Sequence, residues 1–136
     1  MEAILSRHFA DPDPADLRAY RDAGGYVGLA RAVQMDPADI IAELEKSGLR
    51  GCGGAGFPTG LKWRLRGVDA PEPRYLVCNL DETEPGSIKD RALLFGAPHH
   101  ILEGMFIAAH ALGVRYAVVF VRGEYAAGAR VLEKAL

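Results

Sequence analysis

The sequence predicts an α/β fold: a Rossmann-like layered arrangement with parallel strands, preceded by a short N-terminal helical arm and interrupted by one glycine-rich loop. Three observations lead there. Two short apolar runs, Tyr75–Cys78 and Tyr116–Val121, flank one long helical pattern and are followed by another, which is the strand–helix–strand order of a right-handed parallel βαβ unit. Sixteen of the 136 residues are glycine, about 12% against an average near 7%, and they cluster. Apolar residues make up 49% and charged residues 25%, the balance of an ordinary globular domain, and size scaling lets about two-thirds of the surface be buried.

Residues 1–35 are expected to form the helical arm and 36–136 the main domain. In the arm, Pro14 to Tyr20 and Tyr26 to Val33 read as two short helices parted by Gly24-Gly25, because paired glycines break a helix. Asp36 as N-cap, Pro37 at the first helical position, apolar Ile40, Ile41 and Leu44, and Gly48 just past the end describe an amphipathic helix. Gly51 to Gly60, GCGGAGFPTG, is expected to hold no regular structure, since glycine frees the backbone and proline interrupts a ladder. Leu61 to Arg66 reads as a short helix, Tyr75 to Cys78 as a buried strand, and Asn79 to Gly86, NLDETEPG, as an acidic loop closed by a Pro-Gly turn. A long helix starts near Pro98, carries Ile101, Leu102, Met105, Phe106, Ala109 and Leu112, and stops at Gly113. Tyr116 to Val121 is the second strand, and a helix begins at Glu124.

Composition excludes several function classes. A formal net charge of -2 provides no basic face for duplex nucleic acid. The apolar stretch from Ile101 to Val121 is broken by Glu103, His110 and Arg115, so no run approaches the roughly 20 residues of a spanning helix. The first residues lack a basic-then-apolar signal pattern. A cytoplasmic protein without direct membrane contact is the expectation. Cys52 and Cys78, far apart and outside any CxxC pair, build neither a zinc ribbon nor a self-contained iron–sulfur cage. His8, His99, His100 and His110 have no metal-ligand spacing. His99-His100 opens a helix, where a capping or surface role is expected, and no metal site is assigned.

The glycine loop matches G-x-G-x-x-G letter by letter, yet it follows a helix, lacks an acid about 20 residues on, and does not fit the Walker pattern. Two readings remain. Clustered N–H groups, a following helix start and Lys62 would cradle a phosphate, or the segment is a tight connector. The acidic loop places Asn79, Asp81, Glu82 and Glu84 at a strand's C-terminal end, where open α/β sheets bind ligands. It would accept hydrogen bonds from sugar or ribityl hydroxyls, hold a divalent metal, or simply be solvated. Phe57 and Trp63 flank the glycine loop and either stack on a ring or belong to the core. Glu124 and Tyr125, at the end of the second strand, would point at the same crevice as Asp81 and Glu84.

Three ordered blocks, GLRGCGGAGFPTGLKW from Gly48, YLVCNLDETEPGSIKDR from Tyr75 and VRGEY from Val121, together resemble the family of FMN- and NADH-binding subunits of NADH-quinone oxidoreductase, respiratory complex I. The resemblance spans the whole chain, but only the N-terminal third of such a subunit. It implies FMN and NAD(H) as cofactors, with Gly51, Cys52, Gly53, Gly54, Ala55, Gly56, Phe57, Pro58, Thr59 and Gly60 lying against the flavin and the NADH. Lys62 would sit near the FMN phosphate and Phe57 against the dinucleotide. Asn79, Asp81, Glu82 and Glu84 would bind FMN, Glu84 bordering the nicotinamide, and Phe120, Glu124 and Tyr125 would complete the site.

In that mechanism NADH stacks on the flavin, passes a hydride to it, and electrons leave singly to iron–sulfur clusters. No side chain acts as an acid or base. The implied partners are NADH and the iron–sulfur subunits of the peripheral arm, at the cytoplasmic face of the inner membrane. The cysteine motif of the family's 4Fe-4S cluster is absent from this chain, so it is expected to be a truncated copy, a split piece or a remnant, inactive alone. Flavin subunits of NAD-linked hydrogenases and formate dehydrogenases share the blocks. A non-catalytic nucleotide-binding or interaction module is the alternative, favoured by Cys52 in place of the family's usual arginine, which removes a donor and a charge.

Overall fold

In the computed structural model, which describes residues 4–66 and 71–136, the chain runs α1 (Leu17–Asp22), α2 (Val27–Ala32), α3 (Pro37–Ser47), α4 (Thr59–Arg64), β1 (Tyr75–Leu80), α5 (Lys89–Gly96), α6 (Pro98–Leu112), β2 (Tyr116–Val121), a 3-10 turn (Gly123–Tyr125) and α7 (Ala126–Ala135). The architecture is mixed α/β. Strands β1 and β2 pair in parallel, in register from Tyr75↔Tyr116 to Leu80↔Val121. Among the described residues no single helix is long and apolar enough to cross a membrane.

Helices α3 and α6 follow their sequence signals, each with proline in the first turn and a left-handed glycine after the last, Gly48 at φ 68° and Gly113 at φ 63°. Four details differ from expectation. Asp36 occupies the N-cap position of α3 without a capping hydrogen bond, whereas Asp16 accepts from the N–H groups of Arg18 and Ala19 at the start of α1. Helix α4 begins at Thr59, so Thr59 and Gly60 leave the loop. Strand β1 runs on to Leu80, which puts Asn79 on the strand. Helix α5 has no local signal: Ile88 stands at its N-cap position and makes no capping bond.

Two apolar cores form on different parts of α6. Leu102 packs with Leu80, Leu94 and Leu132, while Ala111 packs with Ala32 and Ile40, joined by Met35, Trp63 and Ile107. Each fully buried leucine contributes about 1.5–3 kcal/mol. The opposite face of the sheet, with Tyr75, Val77, Tyr116, Val118 and Phe120, is exposed, so β1 is covered on one face only and is not the buried strand expected from its apolar run.

Polar groups fasten the arm to the first turns of α6. The Glu103 carboxylate accepts from the Tyr20 hydroxyl at 2.7 Å and from the N–H groups of Tyr26 and Leu29 at 3.1 and 3.0 Å. His99 has no exposed surface, which overturns the capping or surface role. Its Nε2–H donates to the Ala15 carbonyl and its Nδ1 accepts from the Tyr26 hydroxyl, the one tautomer these partners allow. Tyr26 holds φ at 60°, a strained value for a side-chain-bearing residue, and its two bonds to α6 offset that cost.

Burial pushes the Glu103 carboxyl up, but its hydrogen bonds from Tyr20, Leu29 and Tyr26 outweigh this and hold it below the ordinary 4.5. Burial, then Arg7, holds the His100 imidazole below 6.5. In both cases the unfolded chain binds protons first, so stability falls with acidification. The His100 contribution is lost as pH drops below 6.5, and that of Glu103 as it drops below 4.5. Thermal melts at pH 7, 5.5 and 4 are expected to show a stepwise fall. Glu103→Gln should cost about 2 kcal/mol at pH 7 and flatten the lower step; an unchanged profile in that variant contradicts the assignment.

Candidate functional site

The glycine loop is closed at its base like a hairpin. Gly51 N–H donates to the Phe57 carbonyl and Thr59 N–H to that of Leu49, both at 2.9 Å, around an Arg50↔Pro58 bridge. The Arg50 guanidinium adds a bond to the Gly56 carbonyl. Gly54 and Gly56 stand at φ 101° and 60°, where a side chain is strained. Gly60 is needed for another reason: a Cβ there would lie 2.5 Å from the main-chain N of Glu45. That close approach, with the Arg64–Glu45 ion pair at 3.1 Å, fixes α4 on α3.

This loop separates two clefts. The first, about 550 Å³, is lined by Gly51, Gly53, Ala55, Gly56, Phe57, Thr59, Lys62, Trp63 and Arg66, with Leu76, Val77 and Leu112 behind. Its charge is positive. Phe57 is 47% exposed, whereas Trp63 both packs on the Ala111 core and lines the cleft. Arg66 Nε is buried with no hydrogen-bond partner among the described residues. Arg66 belongs to none of the sequence motifs, although it stands four positions after Lys62, the spacing that puts two side chains on one helix face.

The second cleft, about 680 Å³, has Cys52, Gly53 and Gly54 on one wall and Asn79, Asp81, Glu82, Thr83, Glu84, Ser87, Lys89 and Asp90 on the other. Ser87 and Lys89 carry no sequence signal that distinguishes them from surface residues. Asn79 Oδ1 accepts from Asp81 N–H at 2.9 Å, turning the chain as it leaves β1. Glu82 is 5% exposed; its carboxylate accepts from Asp90 N–H at 2.9 Å, Arg91 N–H at 3.1 Å and the Ser87 hydroxyl at 3.2 Å. Burial raises its pKa, yet those bonds and Lys89 outweigh it, and the group is held below the usual carboxylate range.

The structure thus sets the glycine loop between Lys62 on one side and the acidic loop on the other. Glu124, Tyr125, Phe120, Pro58 and Gly60 line neither cleft. The Glu124 carboxylate is gripped by Arg122, Nη2 to Oε1 at 2.9 Å and Nε to Oε2 at 3.3 Å, and Tyr125 lies beside the same guanidinium at 6.0 Å. Its own N–H and then Arg122 hold the Glu124 carboxyl low. Phe120 pairs with Asn79 across the sheet and stays exposed. Cys78 is half-buried against the Leu102 core, its thiol pushed up by burial and then by Asp90. Among the described residues no three His, Cys, Asp or Glu side chains converge on a metal position.

Residues 44–136 match the family described as Nuo51 FMN-binding domain. The chain is 44% identical over 133 residues to an NADH-quinone oxidoreductase subunit of Aquifex aeolicus (strain VF5), covering 98% of this chain and 31% of that protein. It is 41% identical to NADP-reducing hydrogenase subunit HndC of Solidesulfovibrio fructosivorans, covering 98% and 27%. Among solved structures, the NAD+-reducing [NiFe]-hydrogenase in its H2-reduced state superposes with a TM-score of 0.74 at 40% identity, covering 88% of this chain and 21% of that one. The chain therefore spans about three-tenths of the length of the curated relatives it matches.

The contact between Gly60 and Glu45 can be tested directly. Gly60→Ala should lower stability by about 1–3 kcal/mol through overpacking, read by denaturant unfolding. Gly53→Ala, where a Cβ meets open space, should stay within about 0.5 kcal/mol. Equal effects would mean that the α3–α4 approach does not hold the loop.

Proposed function

The chain belongs to the Nuo51 FMN-binding domain family, and from that premise we propose that it forms the flavin-holding part of an NADH-oxidising subunit of the complex I type. The observation that carries this is that Gly53 lines both clefts: one bare backbone strip has cations on one side and carboxylates on the other. The residues fit FMN. Its phosphate needs donors and positive charge, which Lys62 and the Arg66 guanidinium supply on the first cleft, beside glycines where an added Cβ at Gly53, Gly54 or Gly56 would meet nothing. Its ribityl hydroxyls and ring edge need acceptors, which Asn79, Asp81 and Glu84 supply.

Bound FMN would contribute a ring that accepts a hydride from NADH and releases electrons singly. The chain's own part is geometric. Phe57 offers an exposed aromatic face to the dinucleotide, the glycine strip lets ligand and backbone approach closely, and Glu84 borders the nicotinamide. Membership of a larger assembly at the cytoplasmic face, with iron–sulfur partner subunits, belongs to the same proposal, as do the division into a helical arm (1–35) and a main domain (36–136) and the fuller Rossmann-like layering. A flavin subunit of an NAD-linked hydrogenase is the second reading, supported by 41% identity to the hydrogenase subunit. The two share this site and differ in the electron acceptor.

Titration with FMN tests the reading, because Trp63 is the chain's single tryptophan and lines the first cleft. Quenching of both flavin and Trp63 fluorescence at micromolar FMN is expected. Cys52→Arg should tighten binding by about 1.5–3 kcal/mol, the value of a charge-assisted hydrogen bond. No quenching in either chain would overturn the proposal.

A further inference from the structure

We propose that Glu82 and Arg122 are positioning residues that set the acidic loop at the ligand cleft, and that Glu124 acts through Arg122 without touching ligand. The ligand part of this rests on the flavin reading above; the loop-holding part stands on the geometry alone. Glu82 is the buried carboxylate of the loop, and its two oxygens already take three donors: Asp90 N–H, Arg91 N–H and the Ser87 hydroxyl. Turning it into the cleft would orphan two N–H groups at the start of α5, which has no N-cap bond of its own. Glu82 lines the cleft as its buried member, with its carboxylate taken up by these bonds, so the more exposed Asp81, Thr83 and Glu84 are left to meet a ligand opposite Cys52, Gly53 and Gly54.

Arg122 ties this loop to the other strand. Its Nη1 donates to the Glu82 main-chain carbonyl at 2.9 Å, and its remaining edge is filled by the fork of two bonds to Glu124. The last paired position of the sheet is Leu80↔Val121. The link therefore falls immediately beyond the ladder, where the chain after β1 would otherwise choose its own direction. A bidentate carboxylate limits the rotamers open to the guanidinium, which is the work left for Glu124, exposed and outside both clefts.

The test uses the 136-residue chain with two readouts: amide hydrogen exchange at Asp90 and Arg91 without ligand, and FMN affinity by fluorescence. Glu82→Gln should speed exchange at those two amides by about tenfold or more, because one accepting oxygen becomes a donor. Arg122→Ala should weaken FMN by about tenfold, with partial recovery in Arg122→Lys, while the melting temperature moves little. Glu124→Ala should weaken FMN in the parent chain and add nothing in the Arg122→Ala chain, since a residue that works through another is non-additive with it. A full additional loss there would show Glu124 touching ligand and overturn its assignment; unchanged exchange in Glu82→Gln would overturn that of Glu82. A parent chain that takes up no FMN sinks the flavin reading, and the exchange result then decides the loop-holding role by itself.

Discussion

Helix α6 presents Leu102 to the core built from β1, α5 and α7, Ala111 and Ile107 to α2 and α3, and His99 and Glu103 to the N-terminal arm. That three-sided burial decides where each half of the site can stand. The glycine loop hangs from α3 and α4, which reach α6 through Ile40 and Trp63. The acidic loop hangs between β1 and α5, which reach it through Leu80 and Leu94. Neither loop has an apolar core of its own, so their separation is inherited from one helix. Small residues such as Ala108 and Ala111, both buried, let the neighbouring elements approach closely.

The two halves differ in charge. Lys62 and Arg66 on α4 and its end face carboxylates at Asp81 and Glu84 across a strip of backbone that carries no side chains at its glycines. A ligand with an anionic end and a hydroxyl-rich middle is oriented by such a field before any close contact forms. Rigidity matters as much as charge. The hairpin-like base at Arg50 and Pro58, the Gly60–Glu45 approach and the Glu82 bonds to α5 each limit one segment that would otherwise wander. Preorganised backbone of this kind spares ordering entropy on binding.

Much of the architecture is legible in the sequence because it is local. Proline at the start and glycine at the end announce α3 and α6, and the apolar runs announce both strands. What escapes depends on partners distant in sequence. Helix α5 is capped by Glu82, eight residues before Asp90, so no capping residue stands beside it. Asn79 and Leu80 join β1 only because Phe120 and Val121 pair with them. His99 is buried by an arm more than seventy residues upstream. The sequence blocks name the loops that line the two clefts, but residue type does not say which carboxylate turns inward: Glu82 and Glu84 are alike in sequence, yet Glu82 is buried and Glu84 exposed. The Arg122–Glu124 pairing is readable in principle, since both lie in one short block.

Two loops, carried by two separate cores on α6, form opposite walls of one cleft, which the proposed function assigns to flavin. Amide hydrogen exchange across the chain, with and without FMN, tests this arrangement most directly. Residues 51–56 and 81–84 are expected to slow together when FMN is added, while the amides of α6 stay as they were. Protection of one loop alone, or of neither, would contradict a shared site.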